Sequence, residues 1–95
     1  MVTHVVLFKM KDPSTESVLR ARDVLAEMKG RIPGLLDVEV GVDFLRSERS
    51  FDVALITRHE SREALEAYQV HPIHQKVLAF MVGVRDRSVC VDFSS

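Results

Sequence analysis

Val5-Val6-Leu7-Phe8 and Val53-Ala54-Leu55-Ile56 are apolar at every position, so a strand built from either must hide both of its faces from water. Each sits inside a longer β-prone run. Residues 2–10, VTHVVLFKM, are closed by Lys11-Asp12-Pro13, and Phe51 to Arg58 follows the polar RSERS turn. Helices packed on a single sheet shield only one side of it. With 95 residues, one domain, little chain is left over to cover the other side. An exposed apolar sheet face is a large adhesive patch. The expected solution is a homodimer in which two such faces meet, with a helical lid from a partner as the alternative.

The rest of the chain supplies the elements around these two strands. Val18, Ala21, Leu25, Met28 and Ile32 recur at steps of three and four, the stripe of an amphipathic helix. Asp12 or Ser14 offers its N-cap, Pro13 fits its first turn, and Gly30 followed by Ile32-Pro33-Gly34 ends it. Leu36, Val38, Val40, Val42 and Phe44 alternate with Asp37, Glu39, Gly41 and Asp43, a strand with one wet face. Ser61 caps a short helix reaching to about Val70. Pro72 interrupts it, and a second helical piece continues to Phe80 or Met81. Ser88 to Phe93 forms a last strand with Val89, Val91 and Phe93 on one side. The order β-α-β-β-α-β predicts an α+β, ferredoxin-like domain over residues 1–95: a four-stranded antiparallel sheet with helices on one face. A right-handed first crossover places strands one and three in the centre and strands two and four at the edges.

Charge and cysteine content narrow the function. Thirteen Lys and Arg against fourteen Asp and Glu leave a net charge of −1, with the basic residues scattered. Nucleic acid and anionic membrane surfaces call for a clustered basic excess, so neither is an expected partner. No apolar run approaches the roughly 18 residues of a membrane span, and no signal peptide is expected. The single cysteine, Cys90, allows no internal disulfide and suits the cytoplasm; in SVCVDF it reads as a small strand residue.

One stretch concentrates chemistry. YQVHPIHQKV carries Tyr68, His71 and His74 within seven residues. Pro72 disfavours helical geometry at His71 and suits the first position of a new helix, which makes His71 a junction residue whose ring can satisfy free backbone groups. His74 then falls in the first turn, where the positive helix end disfavours imidazolium. Tyr68 closes the preceding helix. His4 shares the parity of Val6 and Phe8 on the first strand, which places it beside the interior. The pattern fits a functional pair of Tyr68 and His74. It also fits a core tyrosine and a hydrogen-bonded structural histidine. The break at Pro72 spoils the geometry of a helical His pair, and the segment holds no carboxylate, so no metal site is expected. No phosphate loop, paired-carboxylate motif or nucleophile elbow occurs elsewhere.

HVVLFKMKD, IPGLLDVEVGVDF, ESREALEAYQVHPIHQKV and the closing VDF together resemble the stress-responsive α/β-barrel (Dabb) family over nearly the whole chain. The resemblance implies a dimeric α+β barrel made of two ferredoxin-like halves. Through a plant polyketide cyclase of the family, it further implies cofactor-free aldol chemistry. His74 would take a proton next to a carbonyl while the Tyr68 hydroxyl holds the enolate oxygen. His4 matches a pocket histidine, and Val6, Phe8 and His71 complete the expected substrate-binding set. A further pocket histidine on the third strand becomes Val53, so the same substrate does not follow. The expected ligand is small and partly apolar, with no cofactor and no metal. A non-catalytic stress-responsive dimer and a cofactor-independent monooxygenase are the competing readings.

Overall fold

The computed structural model describes every residue from Met1 to Ser95. Seven elements follow in order: β1 Val2–Met10, α1 Thr15–Ala26, β2 Leu35–Val42, β3 Val53–His59, α2 Arg62–Val70, α3 Pro72–Val84 and β4 Arg85–Ser94. The strands form one antiparallel sheet in the order β2-β3-β1-β4, so β1 and β3 are central as the crossover rule requires.

Register sorts the side chains by face. His4 lies beside Thr57 and Asp92, Val6 beside Leu55 and Cys90, and Phe8 beside Val53 and Ser88. This parity points at the helices. Val53, Leu55, Thr57 and His59 are buried along it on β3. Across from it run α1 with Val18, Ala21 and Leu25, and α3 with Val77 and Met81, all buried. Met28 and Ile32 are buried too, although α1 stops at Ala26. The stripe thus continues through a turn beyond the helix.

The opposite parity carries Val5, Leu7, Ala54 and Ile56 in the centre and Val89, Val91 and Phe93 on β4. No helix lies over this face. The three β4 side chains are 48%, 55% and 47% exposed, which leaves an apolar edge open to water in the single chain.

Several boundaries differ from the sequence-based expectation. Ser14 is the N-cap of α1, its hydroxyl accepting from the Ser17 amide, and Pro13 precedes the cap instead of entering the helix. β2 ends at Val42, the partner of Val53, so Phe44 extends past the ladder and is 92% exposed. β3 begins at Val53, because Phe51 belongs to the connection, and it runs on to His59. β4 starts at Arg85, directly where α3 ends.

One glycine positions the helix that carries Tyr68. Gly34 has φ +80°, and a Cβ there would stand 2.9 Å from the Ala64 Cβ. Its bare backbone lets α2 approach the start of β2, and its carbonyl accepts from the Glu60 amide at 3.1 Å. Ser61 then caps α2, accepting from the Ala64 amide.

Candidate functional site

The junction between α2 and α3 is built from its free backbone groups. The His71 amide donates back to the Tyr68 carbonyl at 3.1 Å while the residue itself is extended, as a position before proline prefers. Its Nδ1 accepts from the Ile73 amide at 3.1 Å, so His71 is the N-cap of α3. This role occupies Nδ1, and the ring does not line the cavity described below. Of the expected substrate-binding set, His71 is the residue that the cavity does not include.

His74, one turn in, ties down the other helix. Its Nδ1 lies 3.0 Å from the Gln69 carbonyl oxygen, an acceptor only, so Nδ1 carries the hydrogen and donates it. In the neutral ring, Nε2 then keeps its lone pair. Burial lowers the His74 pKa below the ordinary histidine value; the Gln69 carbonyl raises it against this, and His4 nearby lowers it again. The direction agrees with the helix-end argument, but desolvation is the larger cause.

The Tyr68 ring lies 4.3 Å from that of His74, centroid to centroid. Tyr68 is 1% exposed, and burial pushes its phenol up to about 12, with the Thr57 side chain acting in the opposite sense. Its one direct hydrogen bond donates to the Met28 Sδ at 3.7 Å, a weak acceptor. His4 approaches from β1, its ring 6.3 Å from Tyr68, and its Nδ1 meets the Asp92 carboxylate from the neighbouring position on β4.

These groups share a space. A cavity of about 200 Å³ lies between α3 and the helix side of β1 and β4, and His4, Val6, Phe8, Tyr68 and His74 all line it. Met28 and Leu55 add apolar wall, and Arg85 and Ser88 stand toward the other end. A larger hollow of about 400 Å³ opens under Phe44, along Leu7 and Ala54 of the helix-free face. Its acids are Asp43 and Asp52. Asp52 is already engaged by the Met10 amide and the Arg46 guanidinium, and Asp43 by the Arg46 amide. The smaller cavity is the one that gathers Tyr68, His74 and His4.

Three polar residues of this region carry no local signal strong enough to mark them in the sequence. His59, in an RHES segment that reads as a solvated turn, is fully buried, its ring packed edge-on to Tyr68 at 4.7 Å. Its Nε2 is 2.8 Å from the Oγ1 of Thr57, the second of the three. Parity is the signal that could have found both: Val53, Leu55, Thr57 and His59 alternate on one face if the strand runs one residue further. Asp92 is the third, and its partner His4 is 88 residues away.

No cluster of three or more His, Cys, Asp or Glu side chains converges as metal ligands. What the geometry offers is a neutral imidazole with a free lone pair beside a phenol that stays protonated at neutral pH, in a largely apolar space. Such a pair can take a proton from carbon and hold the oxygen that becomes negative.

No helix of the protein is long and apolar enough to cross a membrane. Several solved structures share the fold. One is a dimeric ferredoxin-like protein of unknown function from Thermobifida fusca, 25% identical, with a TM-score of 0.87 over 99% of this chain and 90% of that one. A hydroxynitrile lyase from Passiflora edulis superposes with a TM-score of 0.82 at 13% identity, covering 97% and 90% of the two chains. A Dabb family protein from Mesorhizobium loti does so with 0.74 at 16% identity, covering 99% and 95%. No functionally curated protein matches the sequence. The family profile of the stress responsive A/B barrel domain matches residues 2–95. That match spans the sheet, all three helices and the cavity between them, and the chain belongs to the Dabb family.

Proposed function

We propose that this protein is a homodimer that binds a small, partly apolar carbonyl compound between α3 and the sheet and moves a proton on it without a cofactor. The reaction class is that of a cyclase or isomerase. His74 Nε2 takes the proton next to the carbonyl, and the Tyr68 hydroxyl leaves the Met28 sulfur to donate to the carbonyl oxygen as it becomes an enolate. His4, Val6 and Phe8 hold the substrate from β1. The observation that carries this reading is the Tyr68–His74 pair, 4.3 Å apart, on one wall of a 200 Å³ cavity. The apolar face of Val5, Leu7, Val89 and Val91, left without a helix, supports the dimer. With one cysteine and no disulfide, the cytoplasm is the fitting compartment.

The test uses proton exchange, which requires no knowledge of the natural product. Aryl ketones and 1,3-diketones are incubated with the protein in D₂O, and α-deuteration is followed by NMR. The expected result is exchange above buffer, slowed about 10²-fold or more by His74→Ala and by Tyr68→Phe in variants that remain folded. Tyr68 is the sole tyrosine in a chain without tryptophan, so intrinsic fluorescence reports occupancy of the cavity directly. Fluorescence change with no exchange in any compound favours the non-catalytic binding protein. Neither response across the series refutes the reading.

A further inference from the structure

Arg85 is a charged group on the cavity wall with no part in the scheme above. Ion pairs engage Arg22, Arg46 and Arg58, and Arg20 and Arg87 lie over the rings of Phe80 and Phe51. Arg31, Arg49 and Arg62 have no such partner but are exposed. Arg85 alone is both half-buried and unpaired, and drawing a cation out of water without a counter-charge is costly. A helix end is the ordinary reason for a cation at this position. Here Lys11 already fills that role: its amide donates to the Val84 carbonyl at 3.0 Å and its Nζ to the Gly83 carbonyl at 3.4 Å. The Arg85 amide takes the Met81 carbonyl, while its guanidinium bonds none of them.

A register shift sets the placement of Arg85. Lys9 pairs with Arg87, so regular pairing would put Asp86 opposite Met10 and turn Arg85 to the helix-free face. The ladder slips between Lys9 and Met10, and Met10 meets Arg85 instead. Met10 shares the parity of His4, Val6 and Phe8, so the irregularity exchanges an acid for a base on the cavity side. Arg85 lines the cavity, Asp86 does not, and no Asp, Glu or Lys joins Arg85 on that wall. From His74 to Arg85 the backbone of α3 rises about 16 Å, so the cation stands well away from the Tyr68–His74 pair.

We infer that Arg85 and Ser88 form an anion-binding subsite at the end of the cavity opposite Tyr68 and His74, and that the ligand is a carbonyl compound bearing a carboxylate on an apolar chain. The planar guanidinium matches a carboxylate through two parallel hydrogen bonds. Ser88, on the same side of β4 opposite Phe8, adds a hydroxyl donor. Val6, Phe8, Val77 and Met81 give the apolar wall along which the chain lies. A single guanidinium balances a single negative charge, which favours a carboxylate over a doubly charged phosphate-type group. Lys11 offsets the negative end of α3 that would otherwise repel it. The inference rests on the proposed reading that Tyr68 and His74 receive the carbonyl.

Calorimetric titration of the full chain tests this with straight-chain methyl-ketone carboxylates of increasing length, the primary amides of the same chains and the matching phosphonates. These probes are not aromatic, so the fluorescence of the single tyrosine reports in the same samples whether the cavity is filled. At the best chain length the carboxylate is expected to bind about 10-fold or more tighter than its amide. Arg85→Gln is expected to bind the two alike. Equal binding by the wild type overturns the inference, and so does a preference that survives in Arg85→Gln. Absence of binding by every carboxylate, or binding without a tyrosine response, overturns it as well. A phosphonate bound more tightly than its carboxylate overturns the ligand class. If Arg85→Gln does not fold, Arg85→Lys keeps the charge and loses the paired donors; its preference is expected to fall, and an unchanged one overturns the inference. None of these readouts needs turnover, so a failure of ketone exchange leaves the anion subsite standing. Indifference to the carboxylate leaves proton exchange on neutral ketones standing.

Discussion

The buried phenol makes alkaline stability a measurable property of one side chain. Tyr68 titrates near 10.0 in an unfolded chain and at about 12 in the folded protein, because burial disfavours the phenolate. Its contribution is therefore fully present below pH 10 and is lost as the pH rises through 12. At pH 11 the phenol is about nine-tenths ionised when unfolded and about one-tenth when folded. Linkage then removes about 1.4 kcal/mol of stability relative to pH 8, approaching about 2.7 kcal/mol beyond both values. The comparison is with Tyr68→Phe, which keeps every other ionisable group. Urea unfolding followed by far-UV circular dichroism at pH 8, 10 and 11, at one protein concentration, gives the two curves. At pH 8 Tyr68→Phe is expected to cost under about 1 kcal/mol, since the lost direct hydrogen bond goes to a thioether. At pH 11 the wild type is expected to have lost about 1.4 kcal/mol more than the variant. Parallel curves refute the reasoning. So does native absorbance showing the tyrosine ionising near pH 10 while the circular dichroism is unchanged.

Leu7→Asp places an unpaired charge in the middle of the helix-free face and is expected to yield monomers or unfolded chains in sedimentation experiments. A wild-type protein that is monomeric and soluble at micromolar concentration would refute the dimer. Gly34→Ala is expected to destabilise more than Gly30→Ala. Both have positive φ, which costs an alanine about 1–2 kcal/mol. Only Gly34 also meets a neighbour, the Ala64 Cβ at 2.9 Å, whereas a Cβ at Gly30 meets nothing within 4 Å. Equal denaturation midpoints for the two variants would count against the close approach of α2.

Much of the fold was legible because it is written in local signals. Two strands apolar on both parities demand a two-sided environment wherever they sit, and the stripe of Val18, Ala21 and Leu25 demands a helix. Pro72 breaks the second helical region at the place the structure breaks it, and this is why Tyr68 and His74 could be paired as a candidate site. Local periodicity overreached where pairing decides the outcome. Phe44 continues the alternation of β2, but the ladder stops at Val42 because β3 begins opposite it at Val53. His71 has the chemistry of a ligand-side histidine and serves as a helix cap, since the proline that follows it leaves amides to be satisfied.

By itself, then, the sequence determined the element order, the sheet with its central strands β1 and β3, and the histidine and tyrosine flanking Pro72. Those follow from periodicity and from the backbone limits of proline and glycine, which act over a few residues. Only the tertiary structure decided that Met28 receives the Tyr68 hydroxyl from 40 residues away, that Asp92 meets His4, and that His59 and Thr57 are buried behind the phenol. Such contacts depend on strand register and on how closely α2 can approach the sheet. A one-residue slip of β3 would turn both His59 and Thr57 to the opposite face.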